Sequence, residues 1–278
     1  MHLSPDHRVI AADGHRVPVP FRAFAVRSDE PQHAHDARAP YGRVHLVRSS
    51  LPDAGSLAAL ALAGWARVRI ESFSDIDYAP TTWPELAAAA PALPDLAGLV
   101  ASALHLTGVL GDDPGLYRRS VETRVDYLAA CGAGFHNDVK GHWSRCLFWV
   151  LALEADDVEF VMPHAGLRLA LAPGDLLVFD PTMAHGLCRP ADDGQALAAS
   201  FETGLQRRQI FLTGELLLTD ARWVALGAPW QPVEVHASRG ALDLMLATFD
   251  ERSGAIQRLR TLRDGLLRAT CHVEPAAD

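Results

Sequence analysis

Residues 134–138, Gly-Phe-His-Asn-Asp, set an imidazole and a carboxylate two positions apart. On an extended segment side chains alternate with period two, so His136 and Asp138 project from one face and can reach a single ion. A third ligand must come from elsewhere in the chain. His185 is well placed for it, because it follows the turn Pro173-Gly174-Asp175 and the apolar run 176–179, which reads as a short buried strand. Two imidazoles and one carboxylate leave three positions of an octahedral metal open. That ligand set suits a non-haem Fe(II) centre that binds a cosubstrate and O₂ together.

The elements around these residues must present them. Before the pair, Val121, Thr123, Val125 and Tyr127 alternate with Glu122, Arg124 and Asp126, the pattern of a half-buried strand, and Gly132 and Gly134 interrupt it. After the pair, residues 146–153 form a continuous apolar run that predicts a central strand, and 158–162 and 167–171 predict two more. The ligand candidates thus fall at the mouths of successive strands. His142 and His164 lack that setting and read as loop residues, although His142, Trp143 and Arg145 stand where a substrate could be contacted.

This order of parts resembles the Fe(II)/2-oxoglutarate-dependent dioxygenase family: a Tyr-bearing strand, Gly-x-Gly-Phe-His-x-Asp, a hydrophobic strand, a Pro-Gly-Asp turn with Leu-Leu-Val-Phe, and a His followed by Gly. The resemblance covers about residues 120–205. It implies a double-stranded β-helix, a cupin-like jelly-roll barrel of mainly antiparallel strands with flanking helices. It makes His136, Asp138 and His185 the iron ligands, with 2-oxoglutarate and O₂ as cosubstrates. In this family a Gly at the carboxylate position goes with halogenation, so Asp138 implies hydroxylation of an unactivated C–H bond, with succinate and CO₂ as co-products. The family usually carries an Arg or Lys on the strand after the distal His to pair with the far carboxylate of 2-oxoglutarate. Here that stretch, 195–202, has no cation, and a buried dicarboxylate without a partner is costly. Arg145 and Arg189 are the candidates to replace it, with Arg207 or Arg208 behind them, and Tyr127 and Ser200 are candidate hydroxyl partners. Arg124, Phe135, His142 and Trp143 are candidate substrate contacts, and with Tyr127 and Arg145 they suggest a small polar or anionic substrate.

Composition bounds the alternatives. The chain has 278 residues, 49% of them hydrophobic, enough for a sizeable core. With a formal charge of −9 and no concentration of Lys or Arg, it lacks the footprint of a nucleic-acid binder. No apolar run reaches membrane-spanning length and the first residues do not read as a signal peptide, so a cytoplasmic protein is expected. Four scattered Cys fit reduced thiols rather than a disulfide framework.

Three segments are expected: an N-terminal extension, 1–55; a catalytic domain with its leading helices, 56–205; and a C-terminal helical segment, 206–278. The first contains short strands at 17–26 and 43–47, with His33 and His35 on a loop. In the second, a helix capped by Ser56 runs to Ala66, followed by a strand over 66–70, a short helix at Trp83 and a longer one over 93–110. In the third, 204–218 reads as a helix, 221–231 as a loop, and 238–268 as one or two helices whose Leu stripe could form a homodimer. Two rival functions stay open: a cupin-type metal-binding sensor or ligand-binding protein without turnover, and a non-haem iron oxygenase that does not use 2-oxoglutarate.

Overall fold

The computed structural model of the chain describes residues 6–11, 25–27, 35–38, 41, 43–48, 54–71, 75–136, 138, 145–155, 157–162, 167–183, 185–188, 208–228, 231–233, 245–249, 256–263 and 266–268. The strands in chain order are β1 (Asp6–Ala11), β2 (Ala25–Arg27), β3 (His35–Arg38), β4 (Arg43–Arg48), β5 (Ile76–Thr81), β6 (Val125–Ala130), β7 (Ala133–His136), β8 (Cys146–Glu154) and β9 (Glu159–Met162). They continue with β10 (Leu167–Ala170), β11 (Asp175–Phe179), β12 (His185–Cys188), β13 (Gln209–Leu217), β14 (Gln231–Val233), β15 (Met245–Phe249), β16 (Ile256–Arg263) and β17 (Leu266–Arg268). The helices are α1 (Ala54–Trp65), α2 (Trp83–Ala89), α3 (Leu96–His105), α4 (Pro114–Thr123) and α5 (Asp220–Ala225).

The apolar run 146–153 becomes β8, in the middle of a seven-stranded antiparallel sheet of order β1-β4-β11-β8-β13-β6-β5. A strand that central must bury both faces, and alternation divides its residues between two cores. Leu147, Trp149, Leu151 and Leu153 face a core shared with the helices. Phe148 and Val150 face the opposite way, toward a four-stranded antiparallel sheet of order β10-β9-β12-β7. Phe160 and Met162 of β9, Leu167 and Leu169 of β10, and Leu177 and Phe179 of β11 close the space between the two sheets. The described part is thus mainly antiparallel β, with helices on one side of the large sheet. No strand ladder among the described residues closes the two sheets into a barrel.

Local chemistry sets the helix starts. Thr82 and Glu85 form a capping box on α2, the Thr82 hydroxyl accepting from the Glu85 amide and the Glu85 carboxylate from the Thr82 amide, with Pro84 in the first turn. Asp95 caps α3 and also receives Arg118 of α4 at 2.6 Å. Helix α1 lies close on the sheet because Gly64 leaves room: a Cβ there would meet the Tyr127 ring at 2.6 Å and would also press on Ile210. Gly64→Ala gains about 1 kcal/mol of helix propensity, whereas forcing a methyl into a packed core costs roughly 1–3 kcal/mol. The clash is with buried ring and sheet atoms, so it should win. The expected result is a lower melting temperature by a few degrees, and an increase would show that α1 can lift off the sheet freely.

Several expectations are corrected. The strand expected over 121–127 begins only at Val125, because Asp113 and Pro114 start α4 and the buried Tyr117 and Val121 follow its helical period. Residues 66–70 form no strand: the Arg69 and Glu71 amides go to the Asp77 and Asp75 side chains, and the strand is β5. Ser56 sits inside α1 rather than capping it. His35 belongs to β3 rather than to a loop, and His33 lies outside the described residues, as does 17–24 of the expected first strand.

The helix expected over 204–218 is instead β13, with 204–207 outside the described residues. Ile210, Leu212 and Leu216 point to the helix-side core while Phe211 and Thr213 point the other way, a period of two that pairing on both edges selects. Residues 220–225 form α5, capped by Thr219, in place of a loop. The expected C-terminal helical segment is also corrected, since β15, β16 and β17 form an antiparallel sheet. Alternating Arg258, Leu259, Arg260 and Thr261 suits that ladder as well as a helix, and the helix-mediated homodimer loses its helices.

Candidate metal centre

Strand β12 pairs antiparallel with β7 in a register that sets His185 opposite His136. Residues directly opposite in such a pair share a face of the sheet, so the register brings both His positions to one face. The His136 and Phe135 side chains lie outside the described residues. Asp138 follows two positions on, half-buried, and its carboxylate Oδ2 stands 3.7 Å from His185 Nε2. Among the described residues no group of three His, Cys, Asp or Glu side chains forms a complete metal cluster. Asp138 and His185 are the two described members of the expected triad, and both line one pocket.

A single turn, 180–183, holds both of them. Its Pro181 carbonyl accepts the Asp138 amide at 2.7 Å, and its Met183 carbonyl is 2.8 Å from His185 Nδ1. With Nδ1 donating its proton to that carbonyl, Nε2 is left with its lone pair toward Asp138. Fixing the tautomer through the other ring nitrogen is how metal-binding histidines are prepared. The turn itself is tied down by Asp180, which is fully buried. Asp180 Oδ1 accepts from the Thr182 amide (3.0 Å) and hydroxyl (2.7 Å), and Oδ2 from the Tyr41 amide (2.6 Å). The His185 ring is also packed against Phe160, centroids 5.9 Å apart, and Phe179, 4.8 Å. These donors fit a divalent cation: an imidazole nitrogen in the right tautomer and a carboxylate converge on one open space.

That space lies between the two sheets. Its walls include Phe148, Val150, Phe160, Leu177, Phe179 and Phe211, and its polar side chains are Tyr78, Asp138, His185 and Thr213. No Arg or Lys is among its described lining residues. Tyr78 was not foreseen, because β5 was not: its ring stands beside Asp138, Asp126 and Glu215. Partial desolvation first, then these carboxylates, push the phenol up to about 12, only partly offset by Arg124, although 51% of the residue's surface stays exposed. It therefore keeps its proton and can donate it.

The remaining candidates divide as follows. Tyr127 is not a site residue: it sits on the opposite face of β6 with Val125 and Ala129, against α1, and burial in that core raises its phenol. Arg124 stands exposed beside Tyr78, its Nε 2.7 Å from Asp126. Arg145 opens β8, where its carbonyl accepts the Leu218 amide, and it does not line the pocket. Arg189, Ser200, His142 and Trp143 lie outside the described residues, as do His164 and Arg207, and Arg208 is exposed before β13. Sequence reasoning missed Tyr78, Phe160, Phe179 and Asp180. Only Asp180 carried a signal, since Asp-Pro-Thr is a turn in which the Asp side chain can cap the following amides.

No protein-family model matches this chain, and no curated protein does. Among solved structures it is similar to the non-heme alpha ketoglutarate dependent epimerase SnoN from nogalamycin biosynthesis, at 13% identity and a TM-score of 0.38, over 80% of this chain and 91% of that one.

Proposed function

We propose that the protein is an Fe(II)- and 2-oxoglutarate-dependent oxygenase that hydroxylates a small molecule held between the two sheets. The observation that carries this reading is the pair formed by Asp138 and His185, 3.7 Å apart, with the His185 tautomer fixed by Met183 and its position opposite His136 in the sheet. His136, Asp138 and His185 would hold the iron, which when bound supplies O₂ activation coupled to decarboxylation of 2-oxoglutarate. The chain supplies the rest. Phe160 and Phe179 clamp the His185 ring and keep that side of the site dry. Tyr78, protonated at any physiological pH, offers a hydrogen-bond donor next to Asp138.

An apolar pocket with few polar groups converging at one end is the usual form of a small-molecule site. A second reading has its own observation. The described lining holds no cation for the far carboxylate of 2-oxoglutarate, which favours an iron oxygenase with another cosubstrate, or a metal-dependent ligand-binding protein.

Anaerobic reconstitution with Fe(II) followed by 2-oxoglutarate separates these readings. A weak visible charge-transfer band from the chelated keto acid, with succinate formed on admitting O₂, is expected. Iron binding without the band or succinate would reject the 2-oxoglutarate reading in favour of the second.

A further inference from the structure

On the central strand β8 the helix-side residues Leu147, Trp149 and Leu151 are buried, whereas Phe148 and Val150, on the pocket side, are only half-buried. Leu128 of β6, Leu187 of β12 and Leu171 line the same pocket and are half-buried too. Apolar surface left open between two packed sheets holds water poorly and is suited to an apolar molecule that covers it.

The polar side chains of the lining are already engaged, save one. Asp138 and His185 are the expected metal ligands, and the Thr213 hydroxyl donates to the Trp149 carbonyl at 2.9 Å. Tyr78 remains. It stands on the edge strand β5, half-exposed, and its hydroxyl is bonded to no described residue. Because it keeps its proton, it offers a donor and calls for an acceptor, and the influence of Asp138 on it places that donor toward the metal-ligand end.

A molecule with charge or hydroxyls all round would set polar groups against Phe and Leu walls without partners, which is costly. A ring system would gain by covering them. The charged cosubstrate would be held at the metal ligands, so it is the substrate that these walls select.

We propose that the substrate is a neutral, ring-bearing apolar molecule whose single polar group is a hydrogen-bond acceptor, with Tyr78 as the specificity residue that donates to it. This deepens the proposed oxygenase, whose substrate the residue types alone suggested to be polar or anionic, and it rests on the pocket being that enzyme's substrate chamber.

The test uses full-length protein, metal-free and loaded with Co(II), and three small neutral probes. They are 1-indanone, with one carbonyl; indane, the same rings without it; and benzene-1,3,5-triol, a ring with hydroxyls all round. Titration calorimetry should show 1-indanone binding about tenfold or more tighter than the triol. It should bind about threefold or more tighter than indane, the margin of one neutral hydrogen bond. Tyr78→Phe should make 1-indanone and indane equal. Val150→Phe, which fills the space, should weaken both about tenfold or more while Co(II) still binds. Because Val150→Phe could disturb the central strands, Tyr78→Phe, at a sheet edge, carries the result by itself. Triol binding as tight as 1-indanone, no binding of the two apolar probes, a carbonyl preference that survives Tyr78→Phe, or unweakened binding in Val150→Phe would each overturn the inference. The metal-free titration isolates it from the iron reading, which fails separately if Co(II) does not bind.

Discussion

Replacing His185 with Ala should cost the protein its metal. His185 is one of three ligands expected to hold the ion. It is also the one whose preparation is most complete, with Nδ1 bound to Met183, the ring clamped by Phe160 and Phe179, and Nε2 aimed at Asp138. Losing an outer partner of a metal ligand typically lowers affinity about 10–100-fold, and losing the ligand itself should exceed that. Titration with Co(II), followed by its visible bands, measures the change directly. His136→Ala and Asp138→Ala should behave alike. The stability of the metal-free protein should change little at Asp138, which is half-buried, and fall at His185, which fills the space between two Phe rings. If His185→Ala binds Co(II) as well as the wild type does, the ligands are elsewhere and the oxygenase proposal falls with them.

How much of this was legible in the chain depended on how far apart in sequence the interacting groups lie. The runs 146–153 and 176–179 announced themselves because strands buried on both faces must be apolar throughout, and both are bounded by turn residues. The spacing of His136 and Asp138 is local in the same way, and their role as ligands is a proposal that the spacing motivates. Tyr127 failed on phase: alternation places neighbours on opposite faces, so once β6 begins at Val125 it is Leu128 and Ala130 that meet the pocket and Tyr127 that meets α1.

Tyr78 was hidden because β5 is an edge strand with Pro80 in it and mostly exposed or half-buried residues, which leaves little hydrophobic pattern to read. In 209–217 the apolar residues, and in 256–263 the Leu and Arg residues, satisfy helical and strand periods alike, and only the pairing of strands decides between them.

The second large effect is expected at a residue that touches neither metal nor substrate. Asp180 has no exposure, and its carboxylate accepts from two backbone amides and a hydroxyl, one of the amides belonging to Tyr41, 139 residues away. Asp180→Ala leaves those donors buried without an acceptor. Each such loss costs about 1–3 kcal/mol, so even with strong non-additivity the variant should lose roughly 3 kcal/mol or more.

The consequence for the site follows from what hangs on the same turn, namely the carbonyls of Pro181 and Met183, which hold the Asp138 amide and the His185 ring. Co(II) affinity should therefore fall about 10–100-fold although every ligand is still present. Asp180→Asn separates the two effects. Its amide oxygen can still accept from Thr182, but its NH₂ group would face the Tyr41 amide donor to donor, so a smaller loss of both stability and affinity is expected, the two moving together. A variant that melts lower yet binds Co(II) as tightly as the wild type would show that the turn supports the fold without aiming the ligands.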